Sequence, residues 1–249
     1  MEKKSAPDFS PIAKQYAAFR PRYPDELLAF LASLVHPRHL AWDCATGNGQ
    51  AALGLVEYFD KVIATDVSAE QIRHATQHPQ IEYRVANAEQ SGLADHSVDL
   101  IVAATAMHWF NIRNFYKEVR RIGRPESVLA AWTYHAGYIE PPFGKILKRF
   151  YDEVVSPYFA PGARLVDERY ETIRLPGKEI EVPQFWMNTT WNMEQMLGFI
   201  RSWSGTQRYI QERGEDPVKL IVGELENLWG DRAKTYTIRW PLFVKVSRL

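Results

Sequence analysis

The chain has a single cysteine, so no internal disulfide can form, and we expect a reducing compartment, the cytoplasm. No apolar run approaches the length that spans a bilayer, and Met1 to Asp8 is too polar to be a signal-peptide core. Charge of one sign is missing too. Lys plus Arg is 30 and Asp plus Glu is 30, which leaves no basic field for a nucleic-acid backbone. His, Cys and carboxylates never recur at metal-ligand spacing, so no metal is expected. Repeats and low-complexity segments are absent as well. What remains is 249 residues, 46% of them hydrophobic, enough for one large domain with an insertion.

From Leu40 to Trp132 short apolar runs alternate with amphipathic stretches. Strands are predicted at Leu40–Cys44, Val62–Thr65, Ile81–Val85, Val98–Ala103 and Val128–Trp132. Helices are expected from Asp25 (burying Leu27, Leu28, Leu31, Leu34 and Val35), from Gln50, from a capping box at Ser68, and from Asn111 to a closing Gly123. A further helix is predicted from Ser10-Pro11 through Phe19. This rhythm predicts an α/β fold, a doubly wound and mostly parallel sheet. Ligands of such sheets sit beyond the carboxyl ends of the strands.

After residue 133 the pattern changes. Aromatics crowd the stretch from Tyr134 to Gln211, and helices are plausible at Phe143–Val154, Met193–Ser204 and around Leu220, Ile221, Leu225 and Leu228. A terminal strand is predicted at Tyr236–Val246. We divide the chain into N-terminal helices (1–37), an α/β core (38–135), a helical, aromatic-rich insertion or lid with part of the sheet (136–232) and a last core strand (233–249).

The most telling stretch is Asp43-Cys44-Ala45-Thr46-Gly47-Asn48-Gly49, with Asp66 ending the second strand. A tight glycine turn, then an acid about 20 residues on, suits a nucleoside-bearing cofactor. The turn lets backbone approach the ligand, and the acid can accept from both ribose hydroxyls. A nicotinamide-dependent oxidoreductase is disfavoured. Its pyrophosphate fingerprint is Gly-x-Gly-x-x-Gly, and the acid at 43 would repel a pyrophosphate. A non-catalytic binding module stays open on these residues.

Together with Asn87-Ala88-Glu89, Ser97-Val98-Asp99-Leu100 and Ala106-Met107-His108-Trp109-Phe110, this block resembles the class I S-adenosylmethionine (SAM) dependent methyltransferases of type 11. Tyr16 to Pro24, Arg201-Ser202-Trp203-Ser204 and Tyr209 are similar to the small-molecule branch containing trans-aconitate methyltransferase-like enzymes. The resemblance implies methyl transfer from SAM, with S-adenosylhomocysteine as product, to a small-molecule acceptor such as a carboxylate. Partners other than that acceptor are not expected, and the chain would be a monomer or homodimer.

The resemblance also implies site residues. Asp43, Ala45, Thr46, Gly47, Asn48 and Gly49 would hold the methionine part; Ala45 replaces the family's first glycine. Asp66 and Val67 would meet the ribose. Asn87, Ala88 and Glu89 would meet the adenine, with Asn87 where the family usually has aspartate. Ala104, Thr105 and Ala106 would border the transferable methyl. His108 is the candidate base if the acceptor must lose a proton. Tyr16, Arg20, Arg22, Trp109, Arg201 and Trp203 are candidate acceptor contacts. The arginines are also readable as ion pairs, and the aromatics as core.

Overall fold

The structure, a computed structural model, describes residues 22–135, 139 and 142–249. The helix expected from Ser10 to Phe19 lies outside them, as do Tyr16 and Arg20. Two compact units are found: Tyr23–Thr133 with Arg164–Phe185 and Leu242–Leu249, and Tyr134–Ala163 with Trp186–Pro241. The stretch 164–185, placed in the insertion from sequence, belongs to the first unit.

The first unit is the α/β core. Its strands are β1 (Leu40–Cys44), β2 (Lys61–Asp66), β3 (Ile81–Val85), β4 (Val98–Ala104), β5 (Gly123–Thr133), β6 (Lys178–Ile180) and the second half of β8 (Tyr236–Arg248). They lie in the order β3-β2-β1-β4-β5-β8-β6. β1 to β5 pair in parallel, and β8 runs antiparallel between β5 and β6. The order turns back on itself between β1 and β4, the place where such sheets open a ligand crevice.

β1 and β4 are central and nearly wholly buried, which is why they read as continuous apolar runs. Asp43 in β1 and Asp99 in β4 are the charged exceptions, and Asp99 lies near the amino end of its strand. It accepts from the backbone nitrogens of His39 (2.9 Å) and Leu40 (2.8 Å) and pairs with Arg124 (2.7 Å). It therefore fastens the amino end of β1, opposite the ligand end.

Helix α1 (Asp25–Ser33) buries Leu27, Leu28, Leu31 and Ala32. α2 (Gln50–Leu55) buries Ala51, Ala52 and Leu55; Val56 and Phe59 just after it are buried too, and Leu53 is half-buried. α3 (Ala69–Arg73) has the expected Ser68 cap on the Gln71 amide but ends at Arg73, well short of Pro79. α4 (Ile112–Ile122) is capped by Asn111 and buries Phe115, Val119 and Ile122 as expected. Gly123 does not close it with a left-handed turn: its φ is −65° and ψ 134°, and it opens β5.

The second unit is built on the aromatics. Helices α5 (Gly144–Phe150), α7 (Met193–Arg201), α8 (Ser204–Arg213) and α9 (Lys219–Trp229) belong to it; α6 (Arg164–Asp167) belongs to the core. α7 starts in a full capping box between Asn192 and Gln195. Strand β7 (Phe185–Trp191) pairs with β8. Trp191, Phe199 and Trp240 pack with ring centroids 5.0–5.4 Å apart, and Phe143 stacks on Trp229 at 4.3 Å. α9 buries Ile221, Leu225 and Trp229; Leu220 and Leu228, expected on that face, are exposed. No helix among the described residues is long and apolar enough to cross a membrane.

Candidate functional site

The loop after β1 is left-handed at three points: Ala45 (φ +54°), Gly47 (φ +58°) and Gly49 (φ +91°). Backbone and side chains fix it. The Thr46 amide donates to the Thr65 carbonyl (2.9 Å), and the Gly49 amide to the Thr46 carbonyl (3.0 Å). Asp43 Oδ2 accepts from the Thr46 hydroxyl (2.5 Å) and from the Ala52 amide in the first turn of α2 (2.9 Å). Asp43 is thus a buried brace between strand, loop and helix. Its Oδ1 is buried without a partner, and burial raises its pKa to about 7.

The two glycines differ. A side chain at Gly47 would meet no atom within 4 Å, so this part of the loop faces open space. A Cβ at Gly49 would lie 2.2 Å from the Tyr83 hydroxyl. That hydroxyl donates to the Thr76 carbonyl at 2.9 Å. Gly47 leaves room for a ligand, and Gly49 leaves room for β3.

Asp66 ends β2. Its Oδ2 accepts from the Gly47 amide (2.9 Å) and its Oδ1 from the Ser68 amide (2.8 Å). The Val67 amide reaches the same carboxylate, and its roughly four lone-pair sites leave it able to accept from a further donor such as a sugar hydroxyl. Burial moves its pKa upward from 3.8 against the Ser68, Gly47 and Val67 amides. Val67 (63%) and Val85 (57%) are among the most exposed large apolar residues. Val85 is in register with Asp66. Sequence reasoning named Val67 but missed Val85, because an exposed valine ending a strand has no local signature.

Beyond β3, Asn87 is exposed and bridges to Gln90. Ala88 is turned into the core instead. Glu89 accepts from the Asn111 amide (2.7 Å), a contact that holds the loop against the start of α4. Asn87 and Glu89 also border an open groove of about 400 Å³ alongside Lys117 and Arg121.

At the end of β4, Ala104 and Thr105 are half-buried, and Ala106 and Met107 are buried. Thr105 is left-handed (φ +53°), its amide donates to the Trp132 carbonyl (2.7 Å), and its hydroxyl lies 3.4 Å from that of Tyr23. A single helical turn, Met107–Trp109, then presents His108, with the Trp109 ring 4.7 Å from the imidazole. His108 Nδ1 lies 3.4 Å from the Tyr170 hydroxyl. Burial lowers the His108 pKa to about 4, against a raising influence from Asp167. Tyr170 was not foreseen. It is 62 positions along the chain, and no local pattern announces it.

The ends of β1, β2, β3 and β4 therefore carry every expected cofactor residue, although Asp43 and Ala88 sit behind that surface. The acceptor candidates fare differently. Arg22 is exposed. Arg201 is paired with Asp216 at 2.8 Å, and Trp203 is buried among Phe150, Tyr151 and Phe199 in the second unit. Its packing there is that of core. His135 is buried against Tyr151. Among the described residues no cluster of His, Cys, Asp or Glu could hold a metal ion.

Residues 42–131 match the methyltransferase domain family. A Dictyostelium discoideum protein named as a methyltransferase is 32% identical over 96% of this chain and 94% of its own. A Saccharomyces cerevisiae protein named as a SAM-dependent methyltransferase is 23% identical, covering 94% of each chain. The solved structure of a protein from Anaeromyxobacter dehalogenans, named as a type II methyltransferase, superposes with a TM-score of 0.84 at 37% identity, over 92% of this chain and 98% of that one.

Proposed function

This chain belongs to the class I SAM-dependent methyltransferases, and on that premise we propose that it methylates a small molecule at a carboxylate oxygen.

The residues at the strand ends fit the cofactor of that family. Asp66 can accept from a ribose hydroxyl besides its backbone amides. Exposed Val67 and Val85 offer apolar contact to a flat base, and exposed Asn87 has both an acceptor and donors for its edge. The open side of Gly47 leaves room for an amino-acid tail. When bound, SAM supplies an activated methyl group on a sulfonium. The protein's part is to bind, align and exclude water.

The choice of acceptor rests on His108. With a pKa of about 4 its imidazole is neutral at pH 7 and too weak a base to strip a phenol or an ammonium. A carboxylate has no proton to lose. The role of His108 is then to hydrogen-bond the acceptor rather than deprotonate it, with the Trp109 ring as an apolar wall beside it.

The test is a panel of carboxylic acids, phenols, thiols and amines incubated with methyl-labelled SAM. Label is expected in base-labile methyl esters, released as methanol on mild alkaline treatment. Label confined to base-stable ethers, thioethers or amines would overturn the carboxylate reading.

A further inference from the structure

Tyr170 is fully buried, yet its hydroxyl reaches within 3.4 Å of His108 Nδ1. The same oxygen hydrogen-bonds with the Thr133 side chain and the Met107 backbone. Tyr170 and the preceding Arg169 hold φ of +58° and +54°. Bulky residues seldom adopt such angles unless the surrounding structure enforces them, and enforced strain is common at functional sites. Here the strained turn brings a phenol from the segment after α6 against the imidazole.

A phenol oxygen has one hydrogen and two lone pairs. The Met107 amide can only donate to it. Two arrangements satisfy the rest. In one, the hydroxyl donates to His108 Nδ1. In the other, Nδ1–H donates to the phenol and the hydroxyl turns to Thr133. A phenol is a stronger donor than a neutral imidazole N–H, and an imidazole nitrogen is a better acceptor than a phenol oxygen. Neutral imidazole also favours its proton on Nε2. All three considerations select the first arrangement. Among the described residues no hydrogen bond to Nε2 is found.

We propose that Tyr170 is the positioning residue of this site: by donating to Nδ1 it fixes His108 as the Nε2–H tautomer, a hydrogen-bond donor to an acceptor oxygen. This rests on the carboxylate reading above and gives it a mechanism. With SAM bound, one carboxylate oxygen would accept from Nε2–H, leaving the other for the methyl group that the sulfonium would supply, itself released as a neutral thioether. His108 would have no proton to take. An ammonium, thiol or phenol would bring its own proton to a donor and find no base.

The tautomer can be read without any acceptor. Long-range ¹H–¹⁵N spectra of the labelled full chain, with the His108 signals assigned by their loss in His108→Gln, should show a protonated Nε2 and a bare Nδ1. Tyr170→Phe should convert this into a tautomer mixture. An Nδ1–H tautomer in the wild type overturns the proposal, even should Tyr170→Phe fail to fold. An unchanged His108 spectrum in folded Tyr170→Phe overturns it equally. Calorimetry with S-adenosylhomocysteine on the wild type tests the cofactor site alone, so the two readings fail separately. With an accepted carboxylate, Tyr170→Phe should lower kcat about five- to tenfold and leave KM for SAM in place.

Discussion

The Gly47 amide donates to Asp66 Oδ2 at 2.9 Å, so the carboxylate expected to meet the cofactor also holds the cofactor loop. Asp66 has two tasks, and they should be lost together. Asp66→Asn keeps one acceptor oxygen for two backbone amides and a diol. We expect SAM affinity by calorimetry to fall at least about tenfold, roughly 1.4 kcal/mol or more. Unchanged affinity would remove position 66 from the site.

Asp43 makes stability depend on pH. Unfolded, its carboxyl ionises near 3.8; folded, burial holds it protonated up to about 7. Between those values the native chain binds more protons than the unfolded one, so this group's contribution falls as pH rises and levels off above 7. Asp43→Asn removes that dependence. Urea unfolding at pH 5 and pH 8 should show the wild type losing on the order of 2 kcal/mol more than Asp43→Asn between the two. Parallel losses would contradict the raised pKa.

Ala45 occupies the left-handed region with a methyl group, at φ +54°. Glycine there relieves about 1–2 kcal/mol of backbone cost and returns about 0.4–1 kcal/mol as unfolded-state freedom. Ala45→Gly should therefore stabilise the protein by roughly 0.5–1 kcal/mol in chemical denaturation. Destabilisation would mean that the methyl makes a packing contact outweighing its strain.

At Gly49 the same residue type serves a different purpose. Gly49→Ala places a methyl 2.2 Å from the Tyr83 hydroxyl and leaves φ at +91°. A loss of about 2 kcal/mol or more is expected from the clash and strain together. Tyr83→Phe should recover only part of it, because the ring carbon remains 3.1 Å away. A double-mutant cycle measures that coupling. Purely additive losses would show that the phenol is not what excludes a side chain.

His108 gives a kinetic prediction. With a carboxylate acceptor, kcat should stay level from pH 6 to 9, since no group of pKa near 7 need deprotonate the substrate. His108→Ala should lower kcat about tenfold with little change in SAM affinity. A rate rising tenfold per pH unit across that range would point to a proton-bearing acceptor.

Much of this was legible along the chain. β1, β3 and the caps at Ser68 and Asn111 depend on neighbours within a few residues, and hydrophobic period and cap chemistry report such neighbours. The glycine loop and Asp66 were legible because backbone geometry dictates residue type at fixed spacing. Where a helix ended was less so. Gly123 reads as a left-handed cap, but pairing with β4 draws it into β5.

Residue type and order thus determined the α/β core, the strand-end loop and the family. Tertiary structure alone decided how the groups behave. Asp43 became a sealed brace, and Arg201 found Asp216. His108 lost its basicity to burial and met a phenol far along the chain. A pKa is set by desolvation and by whichever groups folding brings within reach, and neither is written at the position that carries the proton.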